Sequence, residues 1–193
     1  MIEIKNIKKI FEGRDTPALD DLSLYVKPGE FCVIIGPNGG GKSTLLKIIS
    51  GSCQPDFGVV DVKGEVSEVI QDVNLGTLPE MTLFENIALS EVKKPKLLFY
   101  NRFKENVIRK VMELNCGLEK YIDKPLKHLS GGQRQIVATL MALNCQSKIL
   151  LLDEHTSALD PKTQDVLMNY IEEQVSKKKI TVLMITHKIE DAL

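Results

Sequence analysis

The sequence predicts an α/β fold interrupted by a helical insert, and three observations predict it. Short apolar segments with strand character lie toward both ends of the chain. A glycine-rich turn joins one of them to a helix. Between about residues 72 and 146 the apolar spacing turns helical.

The elements follow in order. Ile2 and Ile4, then Leu22, Leu24 and Val26, alternate at period two and read as amphipathic strands. Pro28-Gly29 is a turn. Phe31 to Ile35 is a continuous apolar run, which suits a strand buried on both faces of a parallel sheet. A helix follows the glycine-rich loop from about Lys42 to Ser50, with Gly51 as its stop. Val59 to Val62 and Val66 to Ile70 read as further strands. Thr82 to Ser90 and Phe99 to Asn115 have helical spacing, with Lys93-Lys94-Pro95-Lys96 as a polar break between them. Strand pattern returns at Ile149 to Leu152. A helix runs from about Pro161, a good first-turn residue, to Ser176. Lys177 to Lys179 reads as a solvated turn, and Thr181 to Thr186 as the last clear strand. There is no internal repeat and no low-complexity segment.

Composition bounds the answer. A chain of 193 residues that is 43% hydrophobic has enough apolar material for one domain with a real core. With a net charge of −1, no global basic field argues for nucleic acid or an anionic membrane surface. Cys32, Cys53, Cys116 and Cys145 are scattered, with no CxxC pair or Cys/His cluster, so free thiols in a reducing compartment are expected. The first residues mix charged and apolar side chains and do not read as a signal peptide. The longest apolar runs are too short to span a bilayer, so a membrane role must come through a partner.

Three motifs carry chemistry. Gly36-Pro37-Asn38-Gly39-Gly40-Gly41-Lys42-Ser43 fits GxxxxGK[ST], after a strand and at the start of a helix, which is the context that motif requires. The glycines let backbone N–H groups face phosphates, and the helix N-terminus adds partial positive charge. Lys42 then reaches the β- and γ-phosphates, the Ser43 hydroxyl ligates Mg²⁺, and Thr44 meets the α-phosphate. The second motif is the apolar strand Ile149 to Leu152, which ends in Asp153 and Glu154. Asp153 is placed for the Mg²⁺ shell, and Glu154 to polarise an attacking water as general base. The third is Leu129-Ser130-Gly131-Gly132-Gln133 at a helix start. Ser130 and Gln133 have capping-box spacing. That does not explain Gly131 and Gly132, each costing roughly 1 kcal/mol in a helix relative to Ala. A bulky anion approaching bare backbone explains them better.

This set, with LSGGQ downstream of the phosphate loop and just upstream of the Asp-Glu pair, resembles the ATP-binding cassette family over essentially the whole chain. The resemblance implies a P-loop NTPase core of α/β class with a mixed, mainly parallel sheet, an antiparallel β subdomain and an inserted helical subdomain. Residues of about 1–71 and 147–193 would form the core and about 72–146 the insert. It implies an ATPase driving transport through a separate membrane permease, with ATP and Mg²⁺ as the bound groups. Two cassettes pack head to tail in that family, so Ser130, Gly131, Gly132 and Gln133 of one copy would contact ATP held by Lys42 of the other. Gln71 falls at the loop that touches Mg²⁺ and water. Ser157-Ala158-Leu159-Asp160 matches the segment contacting the opposite subunit. His187 matches the histidine that holds the γ-phosphate and orients Glu154. Phe11 falls where the family stacks an aromatic on adenine.

His155 stands where most cassettes have Pro, and Gly40 where Ser or Ala is usual. Arg134-Gln135 follows the signature, and Thr139-Leu140 replaces Ala-Arg. With Gln71-Asp72, these departures resemble bacterial amino-acid importer cassettes of the tryptophan/tyrosine type. The implied partners are a second cassette, in a homodimer or a pair, integral permease subunits and, for import, a substrate-binding protein, with no nucleic acid. The implied place is the cytoplasmic face of the inner membrane. The chain ends soon after His187, where the family runs on for further strands and a helix, so the resemblance implies a truncated C-terminus. An exporter ATPase and a soluble cassette outside transport are the alternatives. A non-catalytic binding module conflicts with intact Lys42, Asp153, Glu154 and His187.

Overall fold

A computed structural model describes residues 1–70, 72, 76–91, 100–153 and 159–187. The strands are β1 (Ile2–Lys9), β2 (Leu19–Val26), β3 (Phe31–Ile35), β4 (Phe57–Val62), β5 (Val66–Val69), β6 (Ile149–Asp153) and β7 (Thr181–Thr186). The helices are α1 (Lys42–Ile49), α2 (Leu83–Glu91), α3 (Tyr100–Glu113), α4 (Gly131–Asn144) and α5 (Pro161–Lys178), with short 3₁₀ turns at Leu118–Tyr121 and Leu126–His128.

The chain divides into two compact units. The first comprises Met1–Glu68, Ser147–Glu154 and Val175–Leu193, and the second Val69–Gln146 and His155–Gln174. Most of α5 therefore groups with the second unit, whereas the sequence reading placed all of 147–193 with the first.

In the first unit β2, β1 and β4 form an antiparallel sheet in that order, with Ile4 opposite Leu24 on one side and Val60 on the other. The period-two pattern of Ile2 and Ile4 fits this pairing, because it turns every second side chain inward. The other sheet has the order β3-β7-β6-β5, with β3/β7 and β6/β7 parallel. One apolar cluster joins the layers: Ile2, Ile4, Ile7 and Val26 from the first sheet, Leu45, Leu46, Ile48 and Ile49 from α1, and Ile149, Leu151, Leu183 and Ile185 from β6 and β7. Each such side chain contributes about 1.5–3 kcal/mol by leaving water, so α1, and the loop that opens it, is fastened to both sheets.

Central β6 and β7 are buried almost throughout. β3 differs from expectation. It is half-buried, and Ile35 is exposed, because β3 lies at the end of the described strand order rather than inside it. The helix expected to stop at Ser176 runs on to Lys178. Lysine is a good helix former, and the chain turns only at Lys179, whose φ is 53°.

The second unit is helical. Leu83 and Ile87 of α2, Val107 and Val111 of α3, and Ile136, Val137 and Leu140 of α4 are buried. Phe84 meets Phe103 edge-on at 5.9 Å. Thr82 opens α2 with a reciprocal cap: its Oγ1 accepts from the Glu85 N–H, and Glu85 Oε2 accepts from the Thr82 N–H. Asn86 is fully buried, accepts from the Leu78 N–H and donates to the carbonyls of Leu78, Met81 and Thr82. The expected break at Lys93–Lys96 lies outside the described residues.

Candidate nucleotide site

The site starts from strand ends. β3 and β7 run parallel with Ile35 opposite Thr186, and β6 lies on the other side of β7 with Asp153 opposite Ile185. The chain leaving β3 (Gly36), the last residue of β6 (Asp153) and the residue after β7 (His187) therefore emerge at one carboxyl edge, where open α/β sheets bind ligands. The Gly36 N–H reaches the Thr186 carbonyl at 3.4 Å, joining the start of the loop to the end of β7.

From Gly36 the chain turns sharply. The Gly40 N–H donates to the Pro37 carbonyl at 3.1 Å, closing a β-turn whose third residue, Gly39, has φ of 81°. A side chain at that position would be strained, which accounts for a glycine there. Gly41 precedes α1 and makes no side-chain cap, so the first N–H groups of the helix are not taken up by a capping side chain.

The Lys42 ammonium folds back over the loop and donates to the carbonyls of Gly36 at 2.7 Å and Pro37 at 3.0 Å. A cation is thus held where the loop's N–H groups also collect, and triphosphate oxygens can replace the two carbonyls. Ser43 is exposed at the first turn of α1, and Thr44 is half-buried. A small cavity of about 110 Å³ beside the loop is lined by Leu19, Leu24, Ile34, Gly41, Lys42 and Leu45. Its walls are mostly apolar.

Asp153 is half-buried at the end of β6. The sequence reading missed a carboxyl near it. Glu68, in β5, is pushed above the usual carboxylate range by burial and by the Asp153 charge, while the Ser50 hydrogen bond and Lys47 oppose the shift. The residue type was readable, but its neighbour lies 85 positions away in the chain and no local spacing signals it. Carboxylates are hard oxygen donors of the kind that suits Mg²⁺. Among the described residues there is no cluster of three or more His, Cys, Asp or Glu able to hold a metal alone. An ion here would take phosphate oxygens as further ligands, as it does in P-loop sites. His187 is exposed. Gln71, Glu154 and Ser157 lie outside the described residues.

Phe11 is 37% exposed in the loop after β1. The Lys9 ammonium stands 5.6 Å from its ring centre.

In the second unit, Ser130 caps α4. Its Oγ accepts from the Gln133 N–H at 3.2 Å, and Gln133 Oε1 accepts from the Ser130 N–H at 3.0 Å. The capping box is therefore real, and both side chains serve it. Gly131 lies exposed at the helix start, and a Cβ there would meet nothing within 4 Å. The packing of this chain does not demand that glycine. Asp160 has a local role that the sequence reading did not assign. Its carboxylate accepts from the Thr163 hydroxyl at 2.7 Å and the Thr163 N–H at 3.1 Å, which caps α5 and holds its pKa below the usual value. The Asp-x-x-Thr spacing was the available signal.

Comparisons with known proteins bear on this arrangement. The family model described as ABC transporter matches residues 19–157. A tyrosine transport ATP-binding protein of Clostridioides difficile is 40% identical over 213 residues, covering 100% of this chain and 84% of the relative. A thiamine import ATP-binding protein of Photobacterium profundum is 39% identical, covering 88% of this chain and 73% of the relative. Among solved structures, a dimeric bacterial ABC transporter cassette superposes with a TM-score of 0.86 at 29% identity, covering 100% of this chain and 90% of that one. The same cassette bound to ADP and Pi after hydrolysis superposes with a TM-score of 0.85 at 28% identity, with the same coverage of 100% and 90%.

Proposed function

The chain belongs to the ABC transporter family, and from that premise we propose that it is the ATP-hydrolysing subunit of an importer for an aromatic amino acid, working beneath a separate permease. The ATP-binding and ATP-hydrolysing role follows from the family and from the likeness to a cassette in a post-hydrolysis state. The amino-acid substrate is supported by the relative named for tyrosine transport and by the departures at Gly40, His155 and Arg134-Gln135. No helix among the described residues is long and apolar enough to cross a membrane, which fits attachment to the cytoplasmic face through permease subunits.

One observation carries the reading: the Lys42 ammonium held over the phosphate loop by the Gly36 and Pro37 carbonyls, at the strand edge where Asp153 also ends. In the working site Lys42 binds the β- and γ-phosphates. The N–H groups from Gly36 to Gly41, with the start of α1, wrap the phosphate chain, and Thr44 meets the α-phosphate. Ser43, Asp153 and Gln71 would hold Mg²⁺, which neutralises the charge shared by the β- and γ-phosphates. Glu154 takes a proton from the attacking water, and His187 holds the γ-phosphate and orients Glu154. Ser130, Gly131, Gly132 and Gln133 of a second copy close over the same phosphates, with Asp160 beside that junction. The dimeric state of the similar cassette supports a pairing of two copies.

Lys42→Ala tests the central claim. Titration calorimetry should show most ATP affinity lost. Wild-type affinity in that variant would overturn the phosphate-loop assignment.

A further inference from the structure

The loop carrying Phe11 is anchored by a pair of residues that no motif includes. Asp56, just before β4, accepts from the Ile10 N–H at 2.7 Å and from the Lys9 ammonium at 2.8 Å. Its own N–H donates to the Lys8 carbonyl at 2.8 Å, so the carboxylate is aimed from a fixed backbone. Lys9 in turn sets its ammonium 5.6 Å from the centre of the Phe11 ring, within cation–π range. The other end of the loop is also tied: the Ala18 N–H donates to the Lys9 carbonyl at 2.7 Å, and the Arg14 N–H to the Phe11 carbonyl at 3.1 Å. Beyond that closure, the Ala18 carbonyl lies against Gly41 of the phosphate loop. The aromatic loop and the phosphate loop therefore meet where Ala18 lies against Gly41.

We propose that the Lys9–Asp56 pair is a positioning device for the nucleotide base: it fixes the chain at Ile10 and sets the Phe11 ring to receive adenine while Lys42 holds the phosphates. The proposal rests on the reading of Phe11 as the adenine platform. Phe11 sits in an exposed loop without strand pairing, so its ring direction depends on what fixes the residues beside it. Asp56 supplies this with one backbone and one charged hydrogen bond, and Lys9 reaches the ring itself. The bonds from Ile10 and Lys9 hold the Asp56 carboxyl below the usual carboxylate range, so the anchor stays ionised at neutral pH. Neither residue belongs to the phosphate loop or to the Asp153–Glu154 pair, so both act through Phe11.

The test compares ligands with and without a base on the full chain. Base–aromatic stacking contributes roughly 5- to 150-fold in binding, and Asp56→Ala, which leaves the ring present but unpositioned, should lose the lower part of that range and weaken Mg-ATP binding by roughly five- to tenfold. Binding of magnesium tripolyphosphate, which has no base, should stay within about twofold. Phe11→Ala should show the same split, and the double variant should be no weaker than Phe11→Ala alone. Lys9→Arg, which keeps the ion pair, should restore most of what Lys9→Ala loses. If Asp56→Ala weakens both ligands equally, the pair is only structural and the proposal fails. If Phe11→Ala weakens ATP while Asp56→Ala does not, the platform stands and the positioning role is wrong. If Phe11→Ala leaves ATP binding unchanged, the platform reading itself fails.

Discussion

A methyl group on Gly41 would lie 2.2 Å from the carbonyl oxygen of Ala18, well inside any tolerable contact. The backbone at Gly41 also has φ of 84°, which costs a side-chain-bearing residue roughly 1–2 kcal/mol. Both facts bear on the residue immediately before Lys42, so backbone strain here moves the ammonium proposed to bind phosphate.

Gly41→Ala should therefore lower folding stability by at least about 2 kcal/mol and remove nucleotide binding together. Urea unfolding and ATP titration on one preparation check it. A variant that binds ATP as the wild type does would show that the loop can shift away from Ala18 without consequence.

The phosphate loop was legible in the sequence because its chemistry is local. Gly39 and Gly41 shape a short turn, and the Lys42 side chain reaches back only to Gly36 and Pro37, so spacing alone exposes them. The strands β6 and β7 were legible because burial on both faces leaves an unbroken apolar run. β3 has the same run but lies at the end of the strand order, since neighbours in a sheet are set by where the chain crosses, which no local pattern records. Glu68 and Asp56 were missed for a related reason: each acts on a residue more than forty positions away, Asp153 and Lys9. The last turn of α5 was misread because Lys177 and Lys178 look solvated. They are, on a helix that carries its charges to its C-terminal end.

The capping role of Ser130 makes its substitution informative. Ser130→Arg removes the hydroxyl that accepts the Gln133 N–H, a loss of about 1 kcal/mol in the second unit, and leaves Lys42 untouched. A folded single copy should bind ATP nearly as the wild type does, while hydrolysis should collapse, because the bulky cation blocks closure on the nucleotide of the other copy. Loss of ATP binding in the folded variant would place Ser130 in its own chain's pocket instead.

Tyr170 gives a prediction in pH. Burial, with the carboxylates of Glu113, Glu173 and Glu91 nearby, pushes its phenol up to about 12. The unfolded chain releases this proton near pH 10, whereas the folded chain keeps it until about 12. The stability tied to the neutral phenol is fully present below about pH 10 and is lost as pH rises toward 12. Allowing for partial exposure, the loss is about 1–2 kcal/mol. Denaturant midpoints of wild type and Tyr170→Phe, compared at pH 7 and pH 11, should show the variant losing less stability at the higher value. Parallel losses would mean that Tyr170 titrates normally.

Glu154→Gln separates catalysis from assembly. Positioned acid–base groups contribute on the order of 10²–10⁴-fold in rate, and glutamine keeps the size and most of the hydrogen bonding while removing the basic carboxylate. It also removes a negative charge near the triphosphate, so ATP should bind at least as well. ATP held between Lys42 of one copy and Ser130 of the other is then not consumed, and it joins the two copies. The variant should elute from size-exclusion chromatography as a dimer with Mg-ATP and as a monomer with ADP, because ADP lacks the γ-phosphate that the second copy's Ser130 and Gly132 meet. A phosphate-release assay on the same sample should read a rate at least about a hundredfold below wild type. Wild-type turnover would reject Glu154 as the base, and a monomer in both nucleotides would reject the head-to-tail pairing.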